Sequence, residues 1–169
     1  LDQQEYGKAL ECFQKALTYY PANQNLYYYV GVCAGFLAPT YMDYNAEGIN
    51  SDSVVKRMNY LRLAEDAYLQ ALSLDPKYYR AMYGLGVLYV FTLDECDKAI
   101  PHLEKFLETQ KKDTNAMFVL ARAYYVTGEG DKAVALYDRI IELKPNAAKV
   151  KEAEANKKKV LEVMSSRKN

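Results

Sequence analysis

The sequence predicts an all-α protein assembled from a repeated helical hairpin, and three observations predict it. Apolar residues recur at helical spacing, as in Met117, Leu120, Ala121 and Tyr124 and then Ala133, Tyr137 and Ile140. A glycine-containing break, Thr127-Gly128-Glu129-Gly130-Asp131, separates these two stretches. Glycine supplies the left-handed conformation that ends one helix, Asp131 can begin the next, and Pro145 stops it. The pattern then returns at a fixed interval: Pro76 and Lys111 stand 35 residues apart, Lys111 and Pro145 34, and Pro21 and Pro76 55, one period with an insert of about 21.

In chain order, Asp2 to Thr18 reads as an amphipathic helix with Tyr6, Leu10, Phe13 and Leu17 on one stripe, closed by Pro21. Residues 1–22 form half a repeat, the second helix of a hairpin, so a longer parent chain is expected. The stripe is then expected to lack its partner helix and to favour homo-oligomers through this end. Residues 23–77 form a repeat with an insert at about 38–58. Its first helix carries Tyr27-Tyr28-Tyr29, three consecutive side chains that point in three directions, with Tyr27 expected in the core. Ala38 to Asp52 is a long loop by composition, and the periodic pattern from Val54 through Leu74 makes the helix after it longer than its counterparts. Tyr41, Met42, Tyr44 and Ile49 are too apolar for a free linker, so the loop is expected to fold over the groove rim or a hairpin edge. Its Asp43-x-Asn45-x-Glu47-Gly48 run resembles the start of a calcium loop, but Val54 stands where the closing bidentate acid is needed. Residues 78–112 and 113–146 are two further repeats; the first has one extra residue in its turn and Pro101 near the start of its second helix, which is expected to begin near Asp97. Residues 147–165 form a final helix with Val150, Ala153, Val160, Leu161 and Met164 inward and Lys157-Lys158-Lys159 outward, as a capping helix requires.

A two-helix unit of about 34 residues with small-residue, aromatic and proline punctuation resembles the tetratricopeptide repeat. The small residues are Gly31, Gly86 and Ala121 in the first helices and Ala9, Ala64, Ala99 and Ala133 in the second. No tryptophan stands at the first signature position, where Tyr27, Met82 and Met117 are found. The resemblance implies a right-handed α-solenoid of tetratricopeptide-type helical hairpins with a C-terminal capping helix.

With 22 basic and 22 acidic residues, no global field argues for nucleic acid or an anionic membrane as partner. No apolar run approaches the roughly 20 residues that cross a bilayer. Cys12, Cys33 and Cys96 have neither metal-ligand spacing nor the density of a disulfide scaffold. His102 has no partner at a nucleophile or metal spacing and falls on an outward helix position, so a surface residue is expected. No phosphate-cradling glycine loop and no hydrolase or metalloprotease motif is present. The sequence therefore carries no sign of catalysis, cofactor or metal.

In proteins of the family this chain resembles, the concave face formed by the first helices binds peptides or helices of partners. The second, fifth, ninth, twelfth and thirteenth places of each first helix would line it. The strongest candidates are Tyr28 and Phe36; then Arg80, Tyr83, Val87 and Phe91; then Asn115, Phe118, Arg122 and Tyr125. Aromatics and arginine most often carry binding energy at interfaces. The family's carboxylate clamp is missing, because Tyr28, Val32, Gly84, Asn115 and Val119 occupy its places. The expected function is a noncatalytic adaptor that binds a protein or peptide in the groove, with a self-assembling scaffold as the alternative.

Overall fold

The structure, a computed structural model, describes residues 3–38, 44–45, 48–49 and 51–166. Eight α-helices carry the fold among these residues: α1 (Gln3–Tyr19), α2 (Gln24–Leu37), α3 (Ser51–Leu74), α4 (Tyr79–Leu88), α5 (Cys96–Thr109), α6 (Thr114–Val126), α7 (Gly130–Leu143) and α8 (Ala147–Ser166). The chain divides into two compact units, residues 1–88 and 89–169.

In the first unit α2 and α3 form a hairpin flanked by α1 and α4. Asn23 begins α2 by accepting hydrogen bonds from the Asn25 and Leu26 amides at 3.0 and 3.4 Å, which satisfies two donors that a helix start leaves open. Tyr68 is the hinge of the packing. A Cβ added at Gly31 would lie 2.7 Å from its ring, and one added at Gly84 would lie 2.8 Å away. The two glycines thus let α2 and α4 close on one aromatic from α3. Gly31 plays the part its sequence position suggested, whereas Gly84 is a second close approach that the repeat pattern did not single out.

The stripe of α1 is covered within the chain, contrary to expectation. Leu10 is buried with Val30, Cys33, Leu37 and Ala67, and Phe13 and Leu17 pack at the margin of that cluster. Tyr6 stacks on Phe36 with ring centroids 4.7 Å apart, and Phe13 stacks on Tyr29 at 5.1 Å. The second helix of a hairpin has a neighbour on each side, and this stripe faces the following hairpin. The apolar face expected to lack a partner is thus packed in part against the following hairpin, with Leu10 buried and Tyr6, Phe13 and Leu17 partly buried.

The insert contains a short antiparallel ladder, β1 (Tyr44–Asn45) with β2 (Gly48–Ile49), in which Tyr44 pairs with Ile49 and Asn45 with Gly48. The expected covering role of Tyr41 and Met42, like Asp43 and Glu47 of the calcium-like run, lies outside the described residues. The helix extension is present: α3 has 24 residues against 14 in α2, α5 and α7.

In the second unit α5, α6, α7 and α8 pack in sequence order. Asp113 starts α6 by accepting from the Ala116 amide at 2.9 Å, and Gly128, at φ 86°, closes the turn after it. The next helix begins at Gly130, one residue before the expected Asp131, and an added Cβ there would lie 2.6 Å from the Met164 sulfur of α8. Helix α5 starts at Cys96, a residue earlier than expected, which sets Pro101 one position deeper inside it, at the cost of one backbone donor. His102 is half-buried rather than outward: its ring stacks on Tyr89 at 6.2 Å, and burial, with Lys105 nearby, pushes its pKa down. The core of this unit includes Leu103, Met117 and Ile140, all fully buried.

Burial raises the phenol pKa of Tyr28, Tyr68, Tyr78, Tyr124 and Tyr137. The unfolded chain ionises its tyrosines near about pH 10 while the folded chain holds these protons to higher pH. Stability is therefore full below about pH 10 and falls as pH rises beyond it, by about 1.4 kcal/mol per pH unit for a deeply buried phenol such as Tyr68. Urea midpoints at pH 9 and 11 are expected to show this drop. The Tyr68→Phe variant is expected to lose less of its stability over the same interval. With no tryptophan in the chain, absorbance near 295 nm reports phenolate directly, and buried rings should ionise only with unfolding.

Candidate functional site

The second unit brings four of the expected groove residues together. A π-helical turn, Tyr89–Leu93, accommodates the extra residue of the third hairpin. Asp94 follows at φ 56°, and the Glu95 amide donates to the Tyr89 carbonyl at 2.9 Å. A π-helical turn widens the helix and re-phases its side chains, and such insertions are frequent at functional sites. Here Tyr89 and Val90 are buried while Phe91 stays 56% exposed. The Arg122 guanidinium lies over the Phe91 ring, 5.3 Å from its centroid, within reach of a cation–π contact.

Phe91, Phe118, Arg122 and Tyr125 line one side of a cleft of about 310 Å³. Tyr137 of α7 closes its floor, its ring tilted against Phe118 at 6.1 Å. Burial raises the Tyr137 pKa, with a smaller lowering from Arg122 and a smaller raising from Glu152. The opposite side belongs to α8, through Glu152, Asn156, Lys159 and Val160.

These α8 residues were not among the groove candidates, although the repeat period leads to them. Adding 34 to Phe118, Arg122, Tyr125 and Val126 gives Glu152, Asn156, Lys159 and Val160. The final helix thus continues the series of first helices and does more than cap the array. Reading its polar residues as a solvated outer face hid that continuity. Val160 serves both roles, since it is buried and still borders the cleft.

Asn115 does not join the cleft. Its side-chain oxygen accepts from Lys149 at 2.7 Å, and the same ammonium donates to the buried Thr114 hydroxyl at 3.0 Å, tying the start of α8 to the start of α6. The remaining candidates belong to the first unit. Tyr28 is half-buried among aromatics, edge-on to Tyr78 at 5.8 Å and 6.1 Å from Tyr68, and Tyr78 donates its hydroxyl to Asn25 at 2.8 Å. It is a packing residue as much as a surface one. Phe36 is 57% exposed but stacked on Tyr6, Arg80 is exposed, and Tyr83 and Val87 are half-buried.

Among the described residues no group of three or more His, Cys, Asp or Glu side chains could hold a metal ion, and no helix is long and apolar enough to cross a membrane. A larger, shallower depression of about 590 Å³ between α7 and α8 is lined by charges of both signs, four of them paired as Asp138 with Lys157 at 2.5 Å and Lys158 with Glu162 at 3.9 Å. It offers a ligand less than the aromatic cleft does.

Sequence profiles described as tetratricopeptide repeat match residues 57–90 and 94–156, together more than half of the chain. The chain belongs to the tetratricopeptide repeat family. Proteins of this family are generally interaction modules without catalytic activity. A tetratricopeptide repeat-containing protein of Borreliella burgdorferi is 27% identical over 163 residues, which is 96% of this chain and 63% of that relative, so the chain spans less than two thirds of the relative's length. Among solved structures, YrrB, described as a tetratricopeptide repeat protein with an unusual peptide-binding site, is similar with a TM-score of 0.73 at 24% identity, covering 97% of this chain and 72% of that one. A thermophilic tetratricopeptide repeat protein of Thermus thermophilus is similar with a TM-score of 0.65 at 21% identity, covering 94% and 76%. MamA from Desulfovibrio magneticus RS-1 matches at 0.62 and 15%, covering 97% and 88%. At these identities the likeness shows the fold.

Proposed function

We propose that this tetratricopeptide repeat protein is a noncatalytic adaptor that binds a segment of a partner protein in the cleft between α6 and α8. The observation that carries this reading is the gathering of Phe91, Phe118, Arg122 and Tyr125 with Asn156 and Lys159 around one open cleft. Aromatic side chains supply area at low entropic cost, arginine supplies directional donors, and an amide such as Asn156 can both donate to and accept from a peptide backbone. A pocket of this size suits one or two side chains of an extended segment rather than a folded domain surface. The peptide-binding site in the description of YrrB, a protein of the same fold, agrees with this reading.

A random peptide library displayed on phage and selected on this protein is expected to yield binders. Phe118→Ser is expected to weaken them by about tenfold or more, the scale for truncating an interface aromatic, while leaving the helical content unchanged. Binders that hold equally to the parent and to this variant would place the partner site elsewhere.

A further inference from the structure

Two cations of the cleft are unspent. Among the described residues three other lysines of the final helix are engaged: Lys149 with Thr114 and Asn115, Lys157 with Asp138, and Lys158 with Glu162. Among the described residues Lys159 lines the cleft without a carboxylate partner, and Arg122 is held over the Phe91 ring, a contact that uses the face of the guanidinium and leaves its edge donors available. Glu152 borders the same cleft but forms no ion pair with Arg122. Glu152 and Lys159 are seven residues apart on α8, so about 10 Å of helix separates the acidic end of the cleft from its basic end. The repeat offset makes Glu152 the counterpart of Phe118 and Lys159 that of Tyr125, with Arg122 and Asn156 between them in their helices.

Resting on the reading of this cleft as a partner site, we propose that its occupant is an extended peptide segment with an internal aspartate or glutamate next to a large apolar side chain. The carboxylate is drawn to Arg122 and Lys159, and the apolar side chain lies against Phe91 and Phe118. An internal acid fits better than a chain-terminal carboxylate, because apolar surface continues on both sides of Arg122, half-buried on one and exposed on the other. Phe118 lies one helical turn before it, and Tyr125 and Val126, 39% and 51% exposed, lie one turn after. A chain that ended at the cations would leave one of these sides uncovered. Guanidinium is weakly hydrated and presents paired donors, so a carboxylate gains more at Arg122 than at a lone ammonium in water.

The test uses the same displayed library, whose random segments are joined to the phage coat protein at their C-terminal end. Binders to the parent protein are expected to be enriched in Asp and Glu beside Phe, Tyr, Leu or Ile. The same sequences, synthesised with amidated C termini, are expected to bind the Arg122→Glu and Lys159→Glu variants at least tenfold more weakly, and to lose affinity as salt rises from about 50 to 500 mM. Both substitutions fall on exposed side chains, so the fold should survive them. Binders that Phe118→Ser weakens but that show no acidic enrichment and ignore both charge reversals overturn this proposal and leave the groove reading standing. Binders insensitive to all three variants overturn both, as does a selection that yields none. Peptides that bind only with a free C-terminal carboxylate overturn the internal acid.

Discussion

Replacing Tyr68 with alanine is expected to destabilise the first unit by about 3–5 kcal/mol, the usual cost of removing a large buried aromatic. The ring is 6% exposed and fills the space left by two absent side chains, at Gly31 and Gly84, besides approaching Tyr28. Neither glycine can move inward to close the void without dragging its helix, so the cavity term is retained almost in full. The converse substitution makes the same point from the other side. A methyl group at Gly31 or Gly84 would meet Tyr68 at 2.7 or 2.8 Å, and overpacking of this kind costs about 1–3 kcal/mol. Chemical denaturation of Tyr68→Ala, Gly31→Ala and Gly84→Ala checks this, and a loss below about 1.5 kcal/mol for Tyr68→Ala would place the ring outside the core.

The second large effect is expected at Tyr124, where alanine should cost about 3 kcal/mol or more. This side chain is 5% exposed, packs between α5, α6 and α7, and donates its hydroxyl to the Glu104 carboxylate while the Lys132 ammonium lies 4.9 Å from its ring. Phenylalanine keeps the area and the cation contact but removes the donor, so Tyr124→Phe should cost only about 1–2 kcal/mol, the share of one hydrogen bond to a charged group. Equal losses in the two variants would show that the hydroxyl, not the ring, dominates.

The repeat was legible because its physical requirements coincide at fixed places. Ala64, Ala99 and Ala133, together with Gly31, Gly86 and Ala121, are all buried where helices approach, and Tyr89, Tyr124 and Tyr137 fill the gaps between them. Spacing alone carries such information. The α1 stripe was misread because periodicity shows that a face is apolar but not which neighbour covers it; Tyr6 and Phe13 stack on the following hairpin. The ladder of Tyr44–Asn45 with Gly48–Ile49 is two residues long on each side, too short for an alternation of polar and apolar residues to register. Of the candidate site, the α6 side was read from its helix positions, whereas the α8 side was concealed by its charges. The π turn was visible only as one residue too many. Sequence counting registers such an insertion, but whether it widens a helix or lengthens a loop depends on the packing of Tyr89 and Val90 beneath it.

The measurement that tests the cleft most directly is a backbone amide NMR titration of the parent chain with a selected peptide. The largest shifts are expected on Phe91, Phe118, Arg122 and Tyr125, and on Asn156 and Lys159 of α8, with the ion pair of Lys157 of α8 and Asp138 of α7 nearly unmoved. Shifts confined to the first unit, or to the outward faces of α5 and α7, with those six amides unmoved, would contradict the assignment of the partner site.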